Sequence, residues 1–286
     1  MTRIVHTNAE LAAAVAQARA EGKRIGFVPT MGALHDGHLS LVRIAQQHSE
    51  FVVVSIFVNP LQFGAGEDFD KYPRTLEADA AALDSVDADL VYAPSATEVY
   101  GDAGFAVTKH AGPAGEGFEG AIRPGHFDGM LTVVARLFEL VQPDVAVFGA
   151  KDAQQLFLVR EMAARDFAAL EIIAAPIVRE PSGLALSSRN RYLSEQERAA
   201  ALALSSSLTA AAAESERAGS SASAVLSAAE QVIAAEPLAK LDYLALVDLS
   251  TFAPVGEDFE GRALMLIAAR VGTTRLLDNR EIVIGQ

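Results

Sequence analysis

The segment at residues 51–58, Phe-Val-Val-Val-Ser-Ile-Phe-Val, constrains the fold most, because its apolar residues occupy both odd and even positions. A strand of this kind must be covered on both faces, which is typical of a central strand in a parallel sheet. A strand pattern at residues 24–28 precedes it, and an apolar stripe at helical spacing, beginning at Leu41, lies between the two. Strand, helix and strand in this order predict a right-handed βαβ unit, whose first turn lies at the carboxyl edge of the sheet.

The chain continues to alternate between strand and helix patterns as far as residue 178, which predicts a doubly wound parallel sheet of the α/β class. Helices are predicted at residues 8–20, 75–83, 130–141 and 152–165, further strands at 89–93, near 105–107, at 145–148 and at 171–178, and a loop at 64–74.

The character of the chain changes after Arg191. Ser194 and Glu197 have the spacing of a capping box, and an Ala/Ser-rich helix pattern follows to about residue 217, with a second one to about 235. Short strand patterns come after the helices, at 241–247, 263–269, 274–277 and 282–284. We therefore predict a first domain of residues 1–184 and a smaller α+β domain of residues 185–286.

Composition excludes several classes of protein. The net charge is −14 and no cluster of Lys and Arg forms a basic face, which argues against a nucleic-acid partner. No apolar run approaches the roughly 18 residues that span a bilayer, so no membrane partner is expected. There are no cysteines, which excludes disulfides and thiolate chemistry, and these absences point to the cytoplasm.

The turn after the first βαβ strand contains His35 and His38 in the pattern His-x-Gly-His, just before a predicted helix. A helix N-terminus attracts anions through its unpaired N–H groups and partial positive charge. We therefore expect the triphosphate of a bound nucleotide at these histidines, with Gly32 permitting the ligand to approach the backbone closely. The alternative is a pair of exposed turn residues, because His-x-Gly-His alone is a weak signal.

Two further segments carry basic residues at turns. Lys151 follows Gly149 at the end of a predicted strand and is a candidate for contact with phosphates, whereas a solvated lysine is the alternative. Asp152 either caps the next helix or holds Mg²⁺ through water. Ser187, Ser188 and Arg189 can donate hydrogen bonds to phosphate oxygens, although their composition also suits a linker.

Several motifs together extend this hypothesis to a family. They are Pro-Thr-Met-Gly-x-Leu-His-Asp-Gly-His at residues 29–38, Ser-Ile-Phe-Val-Asn-Pro-x-Gln-Phe at 55–63, Tyr-Pro-Arg-Thr at 72–75, Gly-x-Lys-Asp-x-Gln-Gln at 149–155, Leu-Ala-Leu-Ser-Ser-Arg-Asn at 184–190 and Thr-Arg-Leu-Leu-Asp-Asn at 274–279. In this order the chain resembles the pantothenate synthetase family over nearly its whole length.

The resemblance implies a reaction in which ATP and pantoate give pantoyl adenylate and pyrophosphate, and β-alanine then releases pantothenate and AMP. It also implies a Mg²⁺-dependent, cytoplasmic homodimer with a Rossmann-like first domain and a second domain that closes over ATP. By the same resemblance His38, His35, Lys151 and Arg189 are catalytic. The implied ATP contacts are Met31, Gly32, His35, His38, Gly149, Lys151, Asp152, Val178, Leu186, Ser187, Ser188 and Arg189. The implied pantoate residues are Asn59, Gln62 and Gln155, and either Asp79 or Asp152 would hold Mg²⁺ through water.

Two departures and three alternatives accompany this hypothesis. Ala150 stands where the family usually has glutamate, and Ala153 where an aromatic residue is common, so nucleotide affinity or rate is expected to be altered. An adenylyltransferase of the same superfamily would need a phosphate-bearing acceptor, and the amides of Asn59, Gln62 and Gln155 favour a hydroxy acid instead. A second alternative, from another class of protein, is a regulator that binds a nucleotide without catalysis. A class I aminoacyl-tRNA synthetase is disfavoured because its tRNA surface would be basic.

Overall fold

The computed structural model describes residues 2–64, 69–101 and 104–285. It divides into two compact units, one of Met1–Ala150 and Gln154–Pro176, the other of Lys151–Ala153 and Ile177–Gln286. The chain thus passes to the second unit after Pro176, whereas the sequence analysis placed the boundary at residue 184. Among the described residues, no helix has the length and apolar character that crossing a membrane requires.

The first unit is built on a six-stranded parallel sheet in the order β1-β4-β3-β2-β5-β6. Its strands are β1 (Arg3–Val5), β2 (Ile25–Thr30), β3 (Phe51–Ile56), β4 (Leu90–Tyr92), β5 (Val145–Gly149) and β6 (Glu171–Ala175). The α-helices are α1 (Asn8–Ala20), α2 (Asp36–His48), α3 (Leu76–Asp84), α4 (Ala96–Tyr100), α5 (Glu119–Ile122), α6 (His126–Val141) and α7 (Ala153–Asp166). The predicted doubly wound α/β sheet is confirmed.

The central strands are covered on both faces, as their continuous apolar sequence requires. Phe27 and Val53 belong to a core on one face of the sheet, together with residues of α1 and α6. Val28 and Val54 belong to a second core on the other face, together with residues of α2. All four side chains are fully buried. Because adjacent strand residues point to opposite faces, the run at 51–58 predicted this two-sided packing correctly.

The strand order reverses at β2. From β2 the chain builds β3 and β4 on one side, and β5 and β6 later extend the other side. Open α/β sheets bind ligands outside the carboxyl ends of the strands at such a switch point. His35 lies in the turn after β2 and His38 in the first turn of α2, and β5, the neighbour of β2, ends at Gly149.

The second unit packs two helices and an antiparallel sheet around its own core. Its helices are α8 (Glu195–Ser215) and α9 (Ala222–Ala234), and its strands β7 (Ala239–Asp248), β8 (Gly261–Val271) and β9 (Thr274–Ile284) pair in chain order. The predicted capping box is present, with Glu197 N–H donating to Ser194 Oγ at 3.2 Å and Ser194 N–H donating to Glu197 Oε2 at 2.8 Å.

One strand was not predicted, and two local predictions were wrong. Strand β1 was missed, because three residues give too short a pattern to recognise. The segment at 105–107 is not a strand: Phe105 is 53% exposed and its ring packs edge-on against Tyr100, with centroids 5.4 Å apart. The two short strands predicted near the C-terminus are one strand, β9. Residues 65–68 of the predicted loop at 64–74 lie outside the described residues.

Candidate active site

The His-x-Gly-His segment forms the N-terminal cap of α2. His35 Nδ1 accepts a hydrogen bond from the Gly37 N–H at 3.1 Å, and His38 Nδ1 accepts one from the His35 N–H at 3.3 Å. The two rings lie together, with centroids 4.1 Å apart. A ring nitrogen that accepts a hydrogen bond carries no proton, so each neutral imidazole carries its proton on Nε2. Both histidines are therefore held as Nε2–H donors at a helix N-terminus.

Asp79 holds the turn that leads to these histidines. Its side chain is 3% exposed and accepts hydrogen bonds from the Leu34 N–H at 2.8 Å, the Ala33 N–H at 3.0 Å and the Thr75 hydroxyl at 3.1 Å. Gly32 adopts a φ of +83°, and a Cβ there would lie 2.9 Å from Asp79 Oδ2. Each carboxylate oxygen thus already has a donor from this turn, which assigns Asp79 a structural task that the sequence analysis did not foresee.

Gln62 lies at the carboxyl edge of β3, in a 3-10 helix at Pro60–Gln62. Asn59 begins this short helix, because its Oδ1 accepts the Leu61 N–H at 3.1 Å. Asn59 Nδ2 donates to Gln62 Oε1 at 3.1 Å, and Gln62 Nε2 lies 3.1 Å from the Met31 sulfur. The predicted substrate residues Asn59 and Gln62 are thus brought together with Met31, whose predicted role is contact with the nucleotide.

Three residues that the sequence did not indicate hold Gln62 and its neighbours Asn59 and Leu61 in place. A Cβ at Gly129 would lie 2.0 Å from the Leu61 carbonyl oxygen, so only glycine permits this approach. His126 Nδ1 donates to the backbone carbonyl of Gln62 at 2.9 Å, and the Tyr100 hydroxyl donates to Asn59 Oδ1 at 2.5 Å. Burial raises the pKa of Tyr100 above its usual range, so the hydroxyl stays protonated. Of these three residues, only His126 had a signal in the sequence, the Pro-Gly-His turn at 124–126.

The two glutamines at the start of α7 differ in role. Gln154 is 4% exposed and binds the loop before α5, accepting the Glu119 N–H at 3.1 Å and donating to Ala114 and Gly117 carbonyls at 2.8 and 3.0 Å. Gln155, the predicted pantoate residue, is half-buried, and its side chain makes no hydrogen bond to another described residue. It is therefore available to bind a ligand.

Gly149 ends β5, and a Cβ built there meets no atom within 4 Å. Packing within the described protein therefore does not require glycine at this position. The prediction that a ligand approaches the backbone here remains a prediction, and open space is the condition that it needs.

In the second unit, Lys151, Asp152, Ser187 and Arg189 line one pocket together with Arg275 and Asp278. The Arg189 side chain makes no hydrogen bond or ion pair to another described residue. Arg275 is instead paired with Asp242 at 2.6 Å, and Lys151 Nζ lies 4.0 Å from Asp152 Oδ2. Lys151 and Arg189 therefore leave positive charge in this pocket, in a protein whose net charge is −14.

Residues of β9 and of a hairpin before α8 fix this pocket. Asn279 Nδ2 donates to the Lys151 carbonyl at 2.8 Å, and Asp278, which is 4% exposed, accepts two bonds from Arg179 at 2.6 and 2.9 Å. The Leu186 N–H donates to the Val178 carbonyl at 2.9 Å, which holds these two predicted ATP contacts side by side. Asp278 and Asn279 belong to the sequence motif at 274–279, which by itself indicates no role for either residue.

The serine loop caps its own short helix. Ser187 Oγ accepts the Arg189 N–H at 3.2 Å at the start of a 3-10 helix at Ser188–Tyr192. Ser188 is half-buried beside it. No group of three or more histidine or carboxylate side chains that could hold a metal ion occurs in the part of the chain that the structure describes.

The fold and these sites define a class: an α/β protein with a Rossmann-like sheet, a histidine pair capping the helix after β2 and a smaller unit that carries a basic pocket. A family model described as Pantoate-beta-alanine ligase matches residues 3–281. The chain belongs to this family.

Individual relatives agree with the family model. The chain is 57% identical to a pantothenate synthetase of Acidothermus cellulolyticus over 259 residues, covering 89% of this chain and 84% of that protein. It is 52% identical to that of Leifsonia xyli subsp. xyli over 284 residues, covering 99% and 98%.

Solved structures give the same result for the fold. A crystal structure of pantothenate synthetase from Thermus thermophilus superposes with a TM-score of 0.91 at 46% identity, covering 98% of this chain and 99% of that one. A pantoate-beta-alanine ligase from Francisella tularensis, complexed with beta-gamma ATP and beta-alanine, superposes with a TM-score of 0.77 at 32% identity, covering 98% and 97%.

Proposed function

We propose that this protein condenses pantoate with β-alanine at the expense of ATP. In the first step a pantoate carboxylate oxygen attacks the α-phosphorus of ATP, the bond from that phosphorus to the bridging oxygen breaks, and pyrophosphate leaves. In the second step the β-alanine amine attacks the acyl carbon of pantoyl adenylate, the bond to AMP breaks, and the amine loses a proton. The observation that carries the proposal is the match to one ligase family over residues 3–281.

The histidine pair supports the first step. Because His35 and His38 accept backbone N–H groups at Nδ1, each neutral ring presents Nε2–H as a donor. Such fixed donors stabilise negative charge that grows on phosphate oxygens as pyrophosphate departs, without reorganisation during the step. Pyrophosphate is a good leaving group and needs little protonation, so hydrogen-bond stabilisation is the role we assign to His38.

The pocket of the second unit supports phosphate binding. Lys151 provides a point charge, and Arg189 provides a planar guanidinium whose N–H groups match two phosphate oxygens at once. Ser187 and Ser188 add short donors. In the first unit, Gly149 at the end of β5 leaves open space in which a ligand could approach the backbone. We propose Met31, Gly32, Val178 and Leu186 as the contacts of the remainder of the nucleotide.

The donor set fits a Mg²⁺ ion held mainly by phosphate oxygens and water. Mg²⁺ commonly takes one or two carboxylates and keeps several waters, so a single half-exposed carboxylate such as Asp152 suffices. Both oxygens of Asp79 already accept hydrogen bonds, so we favour Asp152 over Asp79 as the residue that holds the ion. When bound, the ion would neutralise part of the phosphate charge.

Pantoate is proposed to bind at Gln62 and Gln155. It carries two hydroxyls and a carboxylate, which neutral amides recognise without neutralising the reacting group. Asn59 makes four hydrogen bonds to protein groups, and so its proposed contribution is to hold Gln62.

We also propose, from the family resemblance, that the protein is a homodimer and acts in the cytoplasm. Light scattering would test the homodimer.

The deciding experiment is an assay of the purified protein with ATP, Mg²⁺, pantoate and β-alanine. Formation of pantothenate, AMP and pyrophosphate in equal amounts supports the ligase. Binding of ATP without turnover would support a regulator, and transfer of AMP to a phosphate-bearing acceptor would support an adenylyltransferase. A pH–rate profile of His38→Asn tests the assigned role, because loss of a titrating group would show that His38 acts as a proton donor.

A further inference from the structure

The side chain of Asn59 can adopt only one of its two amide orientations. It lies between the Leu61 N–H, which can only donate, and the Gly129 carbonyl, which can only accept, each at 3.1 Å. Asn59 Oδ1 must therefore face Leu61 and Nδ2 must face Gly129. At 1% exposure, no solvent is available to satisfy the reverse arrangement.

This orientation fixes the amide of Gln62 in turn. Asn59 Nδ2 lies 3.1 Å from the end of the Gln62 side chain and can only donate, so the atom that it meets must be Oε1. Gln62 Nε2 then faces the opposite way, 3.1 Å from the Met31 sulfur, which is a weak acceptor. Toward a ligand beside Met31, Gln62 therefore presents its NH₂ group, one N–H of which already points at this sulfur, and no carbonyl.

Tyr100 is the first member of this chain of hydrogen bonds. Its hydroxyl lies 2.5 Å from Asn59 Oδ1, which can only accept, so the hydroxyl must donate. Its ring is held between Phe57 and Phe105, with centroid distances of 6.2 and 5.4 Å. The hydroxyl is thus a fixed donor that reaches the site only through Asn59.

We propose that Tyr100 is a positioning residue: together with the Leu61 N–H and the Gly129 carbonyl, its hydroxyl holds Asn59 in place, and Asn59 in turn keeps the Gln62 NH₂ group toward the acid substrate. This subsite therefore selects oxygen atoms that accept hydrogen bonds. This inference rests on the proposed function. Both substrates of the proposed reaction are carboxylates, but β-alanine also carries an ammonium group, which can only donate. Opposed N–H donors would exclude that group, and the arrangement therefore favours adenylation of the hydroxy acid over the amino acid.

The test compares Tyr100→Phe with Tyr92→Phe. Tyr92 is a matched control, because it is also buried and its hydroxyl donates to Asn8 Oδ1 at 2.5 Å, but no hydrogen bond between described residues links it to Gln62. Tyr100→Phe is expected to raise the KM for pantoate about 3- to 10-fold, the value of one neutral hydrogen bond, with the KM for ATP unchanged. It should also discriminate less well between pantoate and an analogue with an amino group in place of one pantoate hydroxyl. Tyr92→Phe should change neither quantity.

Several outcomes would overturn the proposal. They are an equal rise in the pantoate KM for both variants, a parallel rise in the KM for ATP and pantoate in Tyr100→Phe, or unchanged selectivity against the amino analogue. Absence of turnover in the wild-type protein would instead refute the proposed function, which keeps the two failures distinct.

A second measurement does not depend on the folding of Tyr100→Phe. The side-chain ¹H–¹⁵N pair of Gln62 in the wild-type protein, assigned by its loss in Gln62→Glu, should shift when pantoate is added. It should not shift when pantoate is replaced by the amino analogue. An unshifted pair at saturating pantoate would refute the proposal.

Discussion

Replacing Asp79 by Asn separates two roles for this carboxylate, a ligand of Mg²⁺ and a brace for the histidine turn. The side chain is 3% exposed and accepts the N–H groups of Ala33 and Leu34 on different oxygens. An amide has only one oxygen, so in either orientation one backbone N–H loses its acceptor and faces an NH₂ group. An unsatisfied buried donor, together with loss of the charged acceptor, costs about 2–4 kcal/mol.

For a unit of this size, that loss lowers the melting temperature by about 4–16 °C. We expect Asp79→Asn to melt correspondingly earlier in calorimetry, to unfold at lower urea concentration and to lose turnover that added Mg²⁺ does not restore. Asp152→Asn is the matched control, because that half-exposed carboxylate makes no hydrogen bond to another described residue. The control should melt like the wild type and need more Mg²⁺ for half-maximal rate. A variant of Asp79 with wild-type stability and a raised Mg²⁺ requirement would refute the structural role.

Three further substitutions test the basic pocket and the end of β5. Gly149→Ala should fold as stably as the wild type, since its Cβ meets open space, but should bind ATP at least several-fold more weakly in calorimetric titration; unchanged affinity would exclude a ligand close to this backbone. Arg189→Gln should weaken ATP binding by about 10-fold or more while leaving the melting temperature unchanged, because no described residue pairs with Arg189. Asn279→Ala should lower kcat by releasing the Lys151 carbonyl, and an unaltered rate would show that Lys151 does not depend on this bond.

Much of the fold could be predicted from the sequence because its signals are local. The apolar run at 51–58 indicated two-sided burial, and the Ser194–Glu197 spacing indicated a helix start, since a cap is satisfied within one turn. Strand β1 could not be recognised in this way, because its three residues are a strand only through parallel pairing with Leu90–Tyr92. Likewise the Phe105 ring packs on Tyr100, and an alternating apolar pattern in the sequence cannot distinguish such a contact from burial in a sheet.

The residue types of the candidate site were predictable, but their partners were not. The sequence indicates that Asn59 and Gln62 are polar groups after a strand, yet their orientation depends on Gly129 and Tyr100, which lie 70 and 41 residues away from Asn59 along the chain. The same holds for Asp79, for which the family resemblance implied a metal ligand, but whose oxygens accept the Ala33 and Leu34 N–H groups 46 and 45 residues away. Contacts between residues so far apart in the chain form only when the sheet has assembled, so a local sequence pattern does not reveal them.

The structural and the chemical interpretations of the histidine turn are not alternatives. His35 and His38 cap α2, and by accepting backbone N–H groups at Nδ1 they are held with their protons on Nε2. The same holds for Gln62. Asn59 Nδ2, which backbone groups hold in place, donates to the Gln62 side-chain carbonyl, so the side of the Gln62 amide that remains is its NH₂ group. Hydrogen bonds that satisfy the fold thus decide, at each of these side chains, that the remaining atom is a donor. A site made of such donors suits phosphate and hydroxy-acid oxygens, and this polarity is set before any ligand binds.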